Sequence, residues 1–148
     1  MSTIISLRIN PMGKKKINIV WLKRDLRLQD HEGFFRAEAS PLDYIVVYIF
    51  DEHLLKAPDT SLRHSQFIYH SLLDLNKQLA PYDRNVQICQ GSSAEVFQFL
   101  ARQYHIEQVF SYQESGTQRS WNRDKAVAEV LKTENILWVE YERDGVQR

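Results

Sequence analysis

The stretch Tyr44-Ile45-Val46-Val47-Tyr48-Ile49-Phe50 decides the fold. It runs without a polar break and is rich in β-branched residues. A strand with one face in water alternates apolar and polar side chains. A continuous run such as this implies a strand covered on both faces, as in a parallel sheet. Upstream, Ile17–Leu22 (INIVWL) is a second run of the same kind. Downstream lie Val86–Gln90 (VQICQ), Gln108–Tyr112 (QVFSY) and Ile136–Glu140 (ILWVE).

Helical patterns fill the intervals. His31–Ala39 is a short helix that stops before Ser40-Pro41, because proline disfavours helical backbone in the residue before it. In Ser61–Ala80, Ile68, Leu72, Leu75 and Leu79 recur at helical spacing and give one apolar face, closed by Pro81. Ser92-Ser93-Ala94-Glu95 reads as a capping box that starts a third helix, with Val96, Phe97 and Leu100 facing inward. A fourth covers Ser120–Lys132, with Val127, Val130 and Leu131 inward. The alternation of strand and helix predicts a three-layer α/β sandwich. It is Rossmann-like and doubly wound, with a five-stranded parallel sheet in the order 3-2-1-4-5.

Composition sets the limits. The chain has 148 residues, 43% of them hydrophobic and 26% charged, which suits a single globular domain and excludes collagen, coiled coil and general disorder. Nineteen Lys and Arg balance nineteen Asp and Glu. A domain that binds nucleic acid alone carries a basic excess, so any DNA contact is expected to be local or shared. The single cysteine, Cys89, excludes an internal disulfide and is expected to be a buried strand residue. No apolar run reaches the length of a membrane span. The expected compartment is a reducing cytoplasm. Residues 1–16 read as a flexible leader, 17–141 as the domain and 142–148 as the start of a linker.

In an open α/β sheet, ligands bind beyond the carboxyl ends of the strands where the strand order reverses. That crevice lies between strands one and four. Lys23-Arg24-Asp25-Leu26-Arg27 follows the first strand, and Gln113-Glu114-Ser115-Gly116-Thr117 follows the fourth. Asp51-Glu52-His53, after the second, forms a neighbouring wall. Arginine offers a planar fork of donors, so Arg24 is a candidate ligand contact. Asp25 either braces the loop through an arginine or accepts from a ligand N–H. Glu114 is a candidate acceptor for ring N–H groups, or a solvated loop carboxylate. The Gly-rich dinucleotide fingerprint and the P-loop are absent, and the histidines show no metal-ligand spacing. Trp21, Trp121 and Trp138 are expected to be packing residues.

Ile19-Val20-Trp21-Leu22-Lys23-Arg24-Asp25-Leu26-Arg27-Leu28-Gln29-Asp30-His31 resembles the opening strand and loop of the DNA photolyase/cryptochrome family, with Leu22 where an aromatic is more usual. Val47–Asp51 resembles that family's second strand. Tyr112–Thr117, with Arg123-Asp124 beyond, resembles its fourth strand and following helix, and Gly145–Arg148 the point where its linker begins. The resemblance implies the N-terminal α/β domain of a photolyase or cryptochrome. Such a domain often holds an antenna chromophore, a folate, a deazaflavin or a flavin. The antenna passes excitation to FAD in a C-terminal helical domain, where a photolyase splits pyrimidine dimers in damaged DNA. It implies antenna contacts at Arg24, Asp25, Ile49, Phe50, Asp51 and Glu114, no catalytic residue and no metal in this chain, and the helical domain and damaged DNA as partners. The alternatives are a cryptochrome photoreceptor, a stand-alone nucleotide-binding module of the same fold, and a pure interaction domain.

Overall fold

The computed structural model describes residues 14–29, 31–51, 62–113 and 118–142. Five strands alternate with four helices in them: β1 Lys15–Leu22, α1 Glu32–Ala39, β2 Asp43–Asp51, α2 Leu62–Leu79, β3 Val86–Gly91, α3 Ser93–Gln103, β4 Tyr104–Tyr112, α4 Gln118–Thr133 and β5 Leu137–Tyr141. A short 3₁₀ turn, Ala80–Tyr82, follows α2 with Pro81 near its start. Every strand pair is parallel and the order is 3-2-1-4-5, as expected.

Two cores lie on opposite faces of the sheet. Ile17, Ile19 and Trp21 of β1 pack with Val96, Phe97 and Leu100 of α3 and Val127, Val130 and Leu131 of α4. Val20 and Leu22 face the other way, toward Phe34 and Ala37 of α1 and Leu72, Leu75 and Leu79 of α2. Each fully buried Leu contributes roughly 1.5–3 kcal/mol. Cys89 is buried, and burial pushes its thiol up to about 11, which keeps it protonated.

Several edges differ from expectation. β1 begins at Lys15, inside the stretch read as leader, and β4 begins at Tyr104 rather than Gln108. These early segments pair with each other, Lys15 with Tyr104 and Ile17 with Ile106. Ile106 is the buried member of Tyr104–Glu107, so no apolar run marks it. Between Ile17 and Ile19 the register with β4 jumps from Ile106 to Val109, so β4 carries one extra residue there. Asn18, only 1% exposed, answers this irregularity: its Oδ1 accepts the Gln108 N–H at 3.2 Å, and its amide donates to Ser40 Oγ at 3.2 Å.

The capping box is a correction. Ser92 occupies the cap position of α3, but its side chain makes no cap hydrogen bond. The helix start is instead held from β2: Asp51 Oδ2 accepts from the Ser93 N–H at 2.9 Å and from its hydroxyl at 2.6 Å. Asp51 and Ser93 are both buried, and a full carboxylate at a helix start also complements the helix dipole. Trp121 corrects a second expectation, being 58% exposed while Trp21 is 2% exposed.

Candidate functional site

The switch point lies where β1 pairs with β2 on one side and β4 on the other. The chain leaving β1 there breaks the strand alternation, so that Lys23 and Asp25, two residues apart, turn to opposite faces. Lys23 turns toward the α3/α4 face, Arg24 is exposed, and Asp25 turns toward α1.

Asp25 is buried and both of its oxygens are engaged. Oδ1 accepts the Lys23 N–H at 3.0 Å, and Oδ2 faces His31 Nε2. His31 is the N-cap of α1: its Nδ1 accepts the Phe34 N–H at 3.2 Å, so the ring hydrogen sits on Nε2, toward Asp25. The Phe34 and Tyr112 rings meet the imidazole edge-on, with centroids at 4.7 and 5.0 Å. Tyr112, at the end of β4, accepts the Glu32 N–H at 2.9 Å through its hydroxyl. On the α1 side, then, the crevice is filled by a bonded cluster. Burial pushes the Asp25 carboxyl up, but the His31 ring and the Lys23 amide more than offset it. The result is a carboxyl below the ordinary aspartate value of 3.8.

On the opposite face the ammonium of Lys23 lies 4.4 Å from the centre of Trp21 and 5.3 Å from that of Trp138. It reaches Asp124 Oδ2 of α4 at 3.3 Å, and Arg123 holds the other oxygen at 2.9 Å. Burial lowers the Lys23 pKa from its ordinary 10.5; Asp124 counters this and Arg123 adds to it. Glu140 of β5 is raised by the same burial, against the pull of Lys23. Trp138 donates its indole N–H to Ser111 Oγ at 2.9 Å.

The six residues carried over from the family resemblance separate by position. Arg24 is exposed and Phe50 half-buried, with Phe50 against Tyr48 at 5.0 Å. Ile49 is 7% exposed and belongs to the core under α3. Asp25 and Asp51 are buried and bonded as above. Glu114 lies outside the described residues. Asp25 does brace its loop, but through a histidine and a backbone amide rather than through an arginine. Lys23, His31, Tyr112 and Asp124 were not singled out by sequence reasoning. All four lie in the stretches that carry the family resemblance, which was the signal available for them.

A concavity of about 360 Å³ lies at the other end of the sheet, where Lys15, Asp43, Tyr44, Arg84 and Tyr104 line it. Its Lys15 and Asp43 pair with each other at 2.7 Å, and Arg84 stacks on Tyr44 at 4.5 Å. It sits at the amino ends of the strands, away from the end where open α/β sheets take ligands. The switch point is therefore the better candidate. No helix among the described residues is long and apolar enough to cross a membrane.

Asp51→Ala is expected to cost about 2–3 kcal/mol, because it strips two buried donors of a charged acceptor. Urea unfolding with an unchanged denaturant slope measures it; a loss within about 0.5 kcal/mol, the scale of a neutral surface change, would show that Asp51 does not hold α3.

The pattern that defines the DNA photolyase family matches residues 18–144. The chain is 30% identical over 113 residues to a cryptochrome DASH of Solanum lycopersicum, covering 70% of this chain and 20% of that protein. It is 27% identical over 122 residues to a deoxyribodipyrimidine photo-lyase of Synechococcus sp., covering 82% and 25%. Among solved structures, a cryptochrome of Synechocystis sp. superposes with a TM-score of 0.81 at 24% identity, covering 88% of this chain and 28% of that one. A photolyase of Sulfolobus tokodaii, described with two FAD molecules and a light-harvesting cofactor, superposes at 0.70 with 26% identity, covering 85% and 29%. The chain thus spans about a fifth to a quarter of the length of these curated relatives.

Proposed function

Since the chain belongs to the DNA photolyase family and corresponds to its N-terminal α/β domain, we propose that it holds a light-harvesting chromophore at the β1/β4 switch point. The chromophore, a folate, deazaflavin or flavin, absorbs light and passes the excitation to FAD in a helical domain. In the photolyase form of this reading, the helical domain repairs pyrimidine dimers in DNA; in the cryptochrome form it signals. This chain carries the antenna contacts, and the electron-transfer chemistry belongs to the helical domain.

The observation that carries the reading is the exit of β1. Arg24 is exposed over the strand ends while Lys23 and Asp25 on either side are buried and bonded. A planar ring with acceptor atoms suits the guanidinium fork. Phe50 adds an aromatic edge at the end of β2, and Glu114 is the acceptor for ring N–H groups. Asp25 and Asp51 act from beneath, by fixing the loops.

Titration with FMN, a reduced folate and ATP, read by fluorescence, tests this. FMN or the folate is expected to bind, and Arg24→Ala is expected to weaken it by about 1.5–3 kcal/mol, roughly 10- to 150-fold. Binding of ATP alone would favour a nucleotide-binding module, and an unchanged affinity in Arg24→Ala would remove Arg24 from the site.

A further inference from the structure

The Lys23 ammonium is enclosed, with its side chain 3% exposed, yet it sits one residue from the exposed Arg24. A surface cation would reach water from this loop. This one is turned under α4, against two adjoining indoles, onto a carboxylate that Arg123 also grips. Asp25, two residues on, is anchored to the cap of α1 on the other face of the sheet. The backbone of Arg24 is therefore tied from both sides to helices that belong to different layers. A long side chain on such a segment starts from a fixed backbone, which lowers the ordering cost of placing it on a ligand.

We propose that Lys23 is a positioning residue for the site, acting through Arg24 and touching no ligand itself. This rests on the antenna reading above and adds to it a residue that sequence reasoning left as an ordinary loop cation. The partner that makes it work is Asp124, a hundred residues away in α4.

Lys23→Met keeps most of the aliphatic stem against Trp21 and Trp138 and removes the charge, and Asp124 keeps Arg123 as its partner. Replacing a buried ion pair member by an apolar residue of similar shape is tolerated when the remaining charge stays paired. Asp124→Asn is the second variant and removes the same tie from the other side.

The test is a double-mutant cycle on FMN affinity with Lys23→Met, Arg24→Ala and the two combined. Lys23→Met is expected to weaken FMN about tenfold, and the double variant to bind within about twofold of Arg24→Ala alone, because the first acts through the second. Losses that multiply, or full affinity in Lys23→Met, would overturn the proposal. Failure of the wild-type chain to take either FMN or the reduced folate would count against the antenna reading instead; if only the folate binds, the same cycle is read on folate affinity. Amide hydrogen exchange of the ligand-free protein then decides. Lys23→Met and Asp124→Asn should each speed exchange at the amides of positions 23 and 27, which bond to Asp25, while Ile17–Leu22 and Phe34–Ala37 keep their protection. Exchange unchanged at positions 23 and 27, or raised evenly over the whole chain, would show that no local brace exists.

Discussion

His31→Ala is expected to lower the free energy of unfolding by about 2.5–4 kcal/mol at neutral pH, a helix cap and a hydrogen bond to a buried carboxylate together. Two losses combine. The Phe34 N–H loses its cap acceptor, worth about 1 kcal/mol. The larger part comes from Asp25, which is left as a buried carboxylate supported by backbone amides alone. His31→Asn separates them, since asparagine caps well but does not reach across to Asp25, and it should recover about 1 kcal/mol. The pH dependence gives the sign. In the native protein the Asp25 carboxyl is held below 3.8, so its contribution is present above that value and is lost as pH falls through the lower folded value. In His31→Ala burial wins and the folded value rises above the unfolded one. The penalty should then shrink as pH is lowered from 7 toward 4, because the carboxyl takes up a proton. Urea unfolding of both proteins across that range measures this. A penalty that stays constant with pH would mean that Asp25 is not the source.

Trp21→Ala is expected to cost about 3–5 kcal/mol, the range for emptying a large aromatic site in a packed core. Trp21 meets Phe97 edge-on at 5.0 Å and Trp138 at 5.7 Å. It also offers its face to Lys23 at 4.4 Å and to Arg123 at 5.3 Å. The variant thus removes the wall that makes the burial of Lys23 tolerable as well as the packing of α3 on β1. Trp21→Phe keeps part of both and should lose less than half as much. Chemical unfolding reads the difference. Equal losses in the two variants would show that a phenyl ring restores neither the packing nor the cation contact there.

The layered architecture was legible because its signal is local. Tyr44–Phe50 is apolar on both faces, and a strand between two helical layers has to be. The inward faces of α2, α3 and α4 followed from spacing alone. What was not legible depends on distant partners. Ser92 and Glu95 have the capping pattern, but Asp51, brought over by the parallel pairing of β2 with β3, reaches the same helix start and supplies a full charge. Lys23 looks like any loop cation until the sheet sets Trp138 and Asp124 beside it. Asp25 left two readings open because a carboxylate that braces and one that binds have the same sequence. The first half of β4 was missed because its buried residue, Ile106, stands alone among polar neighbours. Of the candidate site, Arg24 is exposed and Phe50 half-buried, while Ile49, Asp25 and Asp51 are buried.

The additional residue in β4 has a larger reach than its size suggests. Side chains along a strand switch sides at every step, so one inserted residue inverts the parity of everything after it. Val109 and Ser111 point to the Trp138 side, and Phe110 and Tyr112 to the α1 side, only because the count was shifted by one before them. Shortening the strand by a single residue at that step would exchange the two sets, sending the Tyr112 phenol beneath the indoles and leaving Glu32 without its hydroxyl. The carboxamide of Asn18, which takes up the Gln108 amide at that step, thereby supports the side-chain parity of the wall at the carboxyl end of the sheet.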